Sequence, residues 1–145
     1  MAAALLAGCG GTAEQSSTGE HTTAESPAPA PVSLEGIVTD HGVRDMSGTK
    51  TVELTVELGD SYFSPTYVKV DPGAEVSVHL VNDGATEHTF TIDSLSVDQT
   101  LAPGEESDAS FTMPDSNAVR FYCRFHAASG MQGAAYSEPG QTVAG

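Results

Sequence analysis

The chain has 145 residues, with five Lys and Arg against twenty Asp and Glu, for a formal charge of -15. Nucleic-acid binding rests on clustered cations that neutralise phosphates, so this balance argues against it, and a protein partner steered by charge should be basic. The length suits one domain of about 100 to 150 residues with a single hydrophobic core, plus a tail.

Residues 1–9 read as the remnant of a signal segment. LLAGC, Leu5 to Cys9, resembles a bacterial lipobox, in which the cysteine receives a diacylglycerol after cleavage before it. The apolar run Ala2 to Ala7 is far short of the ~20 residues of a spanning helix, so the implied attachment is a lipid anchor only. No Lys or Arg precedes Arg44, and ordinary signal anatomy would place the true start roughly ten residues upstream. The alternative is a chance AGC in an Ala/Gly-rich start. Residues 10–32 read as a disordered linker, because Gly10 to Pro31 contains no branched or aromatic apolar residue that could offset the entropy of ordering. Its Gly, Ser and Thr make it flexible and PAPAP stiffens its end, a tether that holds a domain some tens of ångströms from a lipid surface.

Residues 33–145 form the expected folded domain. Leu34 to Lys50 reads as a short first strand and a loop carrying His41 and Met46. TVELTVEL sets Val52, Leu54, Val56 and Leu58 against polar neighbours, a period of two that lays one face on a core. YFSPTYVKV, with Phe63, Val68 and Val70 apolar, is closed by the turn Asp71-Pro72-Gly73. AEVSVHLVN places Val76, Val78 and Leu80 on one side and His79 on the other, and HTFTI continues the alternation with Phe90 and Ile92. The runs ASFTM and VRFYC follow, split by Pro, Gly and Asp turns; alternation buries Phe121 and Cys123 on one side with Tyr122 opposite. Met113 reads as core or turn packing. No window of ten residues has a helical period, so the fold class is all-β, an antiparallel sandwich or barrel.

With Cys9 given to lipid, Cys123 has no partner for a disulfide. A free thiol outside the cell is prone to oxidation, so a specific use is the better reading. His126 and Met131 follow within nine positions, and His88 stands upstream after VNDGATE. Two imidazoles, one thiolate and one thioether are the donor set of a blue-copper site, a trigonal plane with a weak axial Met that suits neither oxidation state fully, so that little moves when an electron arrives. Cys123 would end one strand, RFHAASGM would turn over the metal, and QGAAYS would run back. His88 would come from a separate strand and tie the two sheets together. Gly130 and Gly133 flank Met131, where the chain must bend tightly.

From about Phe63 to Tyr136 the chain resembles the cupredoxins, and among them the plastocyanin-like small blue copper proteins. Cys-x-x-His-x-x-x-x-Met at Cys123, His126 and Met131 matches that family's ligand loop, and YFSPTYVKVDPGAEVSVHLVNDGATEHTF matches its layout of strand, turn, strand, Asn and His. The resemblance implies a Greek-key β-sandwich and one type 1 copper ion held by His88, Cys123, His126 and Met131. It implies outer-sphere electron transfer with a protein partner, with His126 as the edge-exposed ligand. The lipobox reading puts this carrier, expected as a monomer, outside the cytoplasm; Phe125 reads as part of an apolar docking rim or as a cover over the metal, and Glu87, beside His88, as an acidic part of the rim. A basic cytochrome or an oxidase is the expected partner. Thr89 stands where the family often has an Asn that braces the Cys loop, and Phe125 where plastocyanins often have Pro.

Catalytic blue-copper proteins wire their metal to a second copper through histidines flanking the cysteine, whereas Cys123 is flanked by Tyr122 and Arg124. The binuclear site of terminal oxidases needs two cysteines in its loop. An enzyme is therefore not expected; the alternative is a copper carrier, storage or homeostasis module without a redox role. Zinc could occupy Cys and two His as an open site, but Cu(II) outcompetes it for most such sites and the thioether adds little for zinc. His21 and His79 read as solvated, and His41 and Met46 as loop residues.

Overall fold

The computed structural model describes residues 30–144. The expectations for residues 1–29, lipidation of Cys9 among them, lie outside the described residues. Among the described residues, no helix is long and apolar enough to cross a membrane.

The described chain forms eleven strands in two packed sheets: β1 (Val43–Asp45), β2 (Thr51–Gly59), β3 (Tyr62–Ser64), β4 (Tyr67–Lys69), β5 (Glu75–Asn82), β6 (His88–Ile92), β7 (Val97–Leu101), β8 (Glu106–Thr112), β9 (Ala118–Tyr122), β10 (Gln132–Tyr136) and β11 (Val143–Ala144). One sheet has the order β3-β2-β5-β8; the other runs β1-β4-β10-β9-β6-β7, with β11 also on β9. Single 3-10 turns stand at Asp93–Leu95 and Ala127–Ser129.

The period of two decides the inner faces. Val52, Leu54, Val56 and Leu58 of β2 are buried, as are Val76, Val78 and Leu80 of β5, with Glu and Thr of β2 turned outward. The sandwich is the one expected, but both sheets are mixed. β2 lies parallel to β5, and β4 is parallel to both β1 and β10. After β2 the chain passes through β3 and crosses to the other sheet at β4 before returning as β5; such a crossover delivers the next strand in the same direction, where a hairpin would reverse it.

Three rings couple the sheets below one end of the sandwich. Phe63 of β3 meets Phe121 of β9 at 5.2 Å edge to face, and Phe90 of β6 stacks on Phe121 at 5.1 Å. Such pairs contribute about 0.5–1.5 kcal/mol beyond their buried area. Phe90 lies two residues after His88 and Phe121 two before Cys123, so the same packing sets the spacing of the two strands that carry these side chains.

Among the described residues Val32, the last of the expected linker, is 2% exposed and joins Tyr67, Ala118, Ala134 and Tyr136 in a second, smaller cluster. From there residues 33–42 run as a strap across β10. The Gln132 amide donates to the carbonyls of Glu35 (2.8 Å) and Ile37 (2.7 Å), and Thr39 N–H donates to Gly130 O at 2.9 Å. The tail also closes on the fold, with β11 parallel to β9 and Gly140 N–H donating to Pro31 O.

Candidate metal centre

Cys123 follows β9 directly and opens a loop that returns into β10. Its carbonyl accepts N–H bonds from His126 (3.2 Å) and Ala127 (2.9 Å), Met131 N–H donates to His126 O (3.1 Å), and Cys123 N–H donates to Met131 O (3.1 Å). The loop is thus tied across its base. Gly130 permits the return: its φ is +105°, and a Cβ there would lie 2.4 Å from Thr39 Oγ1.

This closure brings three donors together. His88 Nδ1 and His126 Nδ1 are 3.1 Å apart, Cys123 Sγ is 3.5 Å from His126 Nδ1, and Sγ is 3.9 Å from His88 Nδ1. A triangle of these edges has its centre about 2.0 Å from each corner, which is the length of a metal–imidazole bond and a little under the ~2.3 Å of a thiolate bond to a first-row ion such as zinc. His88 and Cys123 are buried and His126 is half-buried. Burial holds the His88 pKa below its ordinary value, opposed by its bond to Asp60 and reinforced by the neighbouring His126. A neutral imidazole is the form a metal binds. The donor set, a soft thiolate with two borderline imidazoles, fits one copper ion.

His88 stands on β6, and Cys123 and His126 stand on the loop that joins β9 to β10 of the same sheet. β6 and β9 are neighbours in it, joined at Thr91↔Tyr122. The expectation that His88 itself ties the two sheets together is therefore corrected. The side chain that reaches the centre from the other sheet is Asp60, in the turn between β2 and β3, whose Oδ1 lies 3.3 Å from His88 Nε2.

Thr89 braces the loop in its own way. Its N–H points at Cys123 Sγ (3.4 Å) and its Oγ1 accepts the N–H of Arg124 (2.9 Å). Thr91 Oγ1 lies 3.1 Å from Thr89 Oγ1 and 2.9 Å from Asp98 Oδ1, while Asp98 Oδ2 pairs with Arg124 Nη2 at 3.3 Å. The four residues close a ring around the peptide that follows the cysteine. It also explains why all five residues of β6 are buried where alternation puts Thr89 and Thr91 outside: their hydroxyls have partners. Sequence reasoning missed Asp60, Thr91, Asp98 and the loop-bracing side of Arg124. Asp60 sits in Gly-Asp-Ser, which has the composition of any turn.

The other expected residues are placed as follows. Met131 is fully buried at the end of the ligand loop, within the main core cluster. Phe125 is 54% exposed with its ring 6.3 Å from that of His126, and Glu87 is exposed. His41 stacks on Tyr62 at 3.8 Å, whereas Met46 packs against the core. His79 is not merely solvated: it bridges Asp108 (2.9 Å) and Glu106 (3.2 Å), and the bond to Asp108 first of all raises its pKa.

Comparison with known proteins places this geometry. Residues 38–134 match the family described as a cupredoxin-like domain. No curated protein is matched by sequence. Among solved structures, the chain is similar to a dithionite-reduced auracyanin of the photosynthetic bacterium Roseiflexus castenholzii, with TM-score 0.51 and 21% identity over 67% of this chain and 98% of that one. It is also similar to the metal-binding domain of the Cu(I)-exporting P-type ATPase CopA of Streptococcus pneumoniae D39, with TM-score 0.55 and 11% identity over 74% and 100%. A blue copper oxidase of Nitrosomonas europaea gives TM-score 0.54 and 17% identity over 61% of this chain and 39% of that one. At these identities the likeness is one of fold.

Proposed function

The chain belongs to the cupredoxin-like domain family, and on that premise we propose that it is a blue copper electron carrier working outside the cytoplasm. The observation that carries this reading is the triangle of Cys123, His88 and His126 donors, with Met131 on the same loop as the proposed axial ligand. When bound, copper supplies a one-electron couple between Cu(II) and Cu(I).

The chain's own residues supply the rest. Burial of Cys123, His88 and Met131 keeps water from the donors, and the ties at Thr89, Met131 and His126 hold them in place so that little rearranges with charge. The half-buried His126 offers its imidazole edge at the surface beside the exposed ring of Phe125. An electron enters from a reduced protein and leaves to an oxidised one; no bond is broken and no proton is required. Phe125 and Glu87 form the proposed docking rim for a basic cytochrome or oxidase, and Cys9 with the linker is proposed to anchor the domain to a membrane surface. The flanks Tyr122 and Arg124 offer no imidazole for wiring a second copper, in keeping with a carrier and not an enzyme.

Optical and paramagnetic resonance spectra of the copper-loaded full chain test this reading. The expected result is an intense visible thiolate-to-copper band with a narrow copper hyperfine splitting. A colourless Cu(II) complex would sink it and leave a copper carrier or storage module.

A further inference from the structure

The two ring nitrogens of His88 face different surroundings. Nδ1 faces the donor triangle, while Nε2, on a side chain only 1% exposed, meets the Asp60 carboxylate at 3.3 Å. The hydroxyl of Thr86, at 3.5 Å, stands farther off. Asp60 is itself held. Ala85 N–H donates to the same Oδ1 at 3.0 Å and so fixes the carboxylate against the loop.

The loop around it is built for the approach. Asn82 fixes the loop from inside, with Nδ2 donating to the carbonyls of Thr86 and Leu101 (2.9 Å each) and Oδ1 accepting Gly84 N–H at 2.9 Å. Gly84 lies over the contact: a Cβ there would come within 2.5 Å of Asp60 Oδ1 and 2.7 Å of His88 Nε2. Any side chain at position 84 would displace the carboxylate, the imidazole or both from this contact.

We propose that Asp60 is a positioning residue of the metal centre, accepting the Nε2–H of His88 so that the Nδ1 lone pair faces the ion, and that its negative charge favours Cu(II) over Cu(I). The inference rests on the copper reading above. The physics is that of a carboxylate behind a ligating histidine: it fixes the tautomer, makes the imidazole a stronger donor and stabilises the charge that a divalent ion induces on the ring. The extra charge of Cu(II) gains more from it than Cu(I) does. Because the Asp60 side chain is 57% exposed, solvent screens part of this gain, which the tied geometry partly offsets.

Three full-chain variants test it: Asp60→Asn, which keeps an oxygen acceptor for Ala85 but no charge; Asp60→Ala, which removes both; and Gly84→Ala, which displaces one or both partners of the contact. Nitrogen NMR of the metal-free protein reads the tautomer of His88, and chelator competition with Cu(I) and Cu(II), together with voltammetry, reads the metal. Expected are loss of the Nε2–H tautomer preference in Asp60→Ala and in Gly84→Ala. In all three variants Cu(II) affinity should fall about tenfold relative to Cu(I), which raises the potential by about 59 mV. Retention of the tautomer in Asp60→Ala, or an unchanged potential in both Asp60 variants, overturns the proposal. A wild-type protein that is not blue would instead defeat the electron-carrier reading, while the metal-free NMR still decides the contact.

Discussion

Replacing Thr89 with Val removes one oxygen from beneath the ligand loop and almost nothing else. The two side chains have nearly the same shape, the site is fully buried, and the backbone N–H that points at Cys123 Sγ is untouched. What disappears is the acceptor for Arg124 N–H at 2.9 Å and the neighbour of Thr91 Oγ1 at 3.1 Å, although Thr91 keeps Asp98. A net hydrogen bond is worth about 1 kcal/mol, and a stranded donor costs more, about 1–3 kcal/mol. Arg124 is an exposed residue whose amide can regain some water, so the lower part of the range applies, about 1–2 kcal/mol. In a domain of this size that lowers Tm by about 4–8 °C. Urea unfolding of the metal-free protein measures it, with Thr89→Ser as the rescue, since Ser restores the oxygen. Amide exchange at Arg124 should quicken in Thr89→Val alone. A Thr89→Val protein within about 0.5 kcal/mol of wild type, a difference expected of any neutral substitution, would refute the brace. So would a Ser variant as unstable as the Val one.

Met131→Leu conserves volume in a fully buried position, so metal-free stability should change by less than about 1.5 kcal/mol, while the loss of an axial thioether should raise the reduction potential. Voltammetry that shows no change would mean the thioether does not coordinate. Electron exchange with a basic cytochrome should slow as salt rises, because the chain carries -15 and Glu87 is exposed on the rim. Stopped-flow rates indifferent to salt would shift docking onto the apolar ring of Phe125, and Phe125→Ala should then lower the rate at every salt concentration.

Much of this architecture is legible in the sequence because the physics behind it is periodic or local. Val52 to Leu58 alternate over a full strand, and that alternation alone assigns the inner face of β2. Cys123, His126 and Met131 lie on one short loop, so their spacing survives any error in placing the strands. The mixed character of the sheets is not local. It depends on which sheet receives β4 after β3, and nothing within TYVKV marks that choice. Asp60 is 28 residues from His88 in the chain and meets it only because the β2–β3 turn and the β5–β6 loop share one end of the sandwich. The Thr89, Thr91, Asp98 and Arg124 ring is likewise a product of register, since Thr91 stands opposite Asp98 across β6 and β7. Thr89 is legible as a departure from the family's Asn, but its reach to the Arg124 amide depends on how closely β6 lies against the ligand loop, which no local pattern encodes.

The strap that enters at Val32 sets where the independent folding unit can be cut. The family match starts at residue 38 and stops at 134, yet the carbonyls that receive the Gln132 amide belong to Glu35 and Ile37, and the strand docked on β9 is Val143–Ala144. Excision at the family borders would strip both acceptors from a side chain that is 1% exposed and sits next to Met131. The shortest autonomous piece therefore extends past the matched span in both directions, since a fragment trimmed to that span would also lose Ala135 and Tyr136 of β10 and the whole of β11.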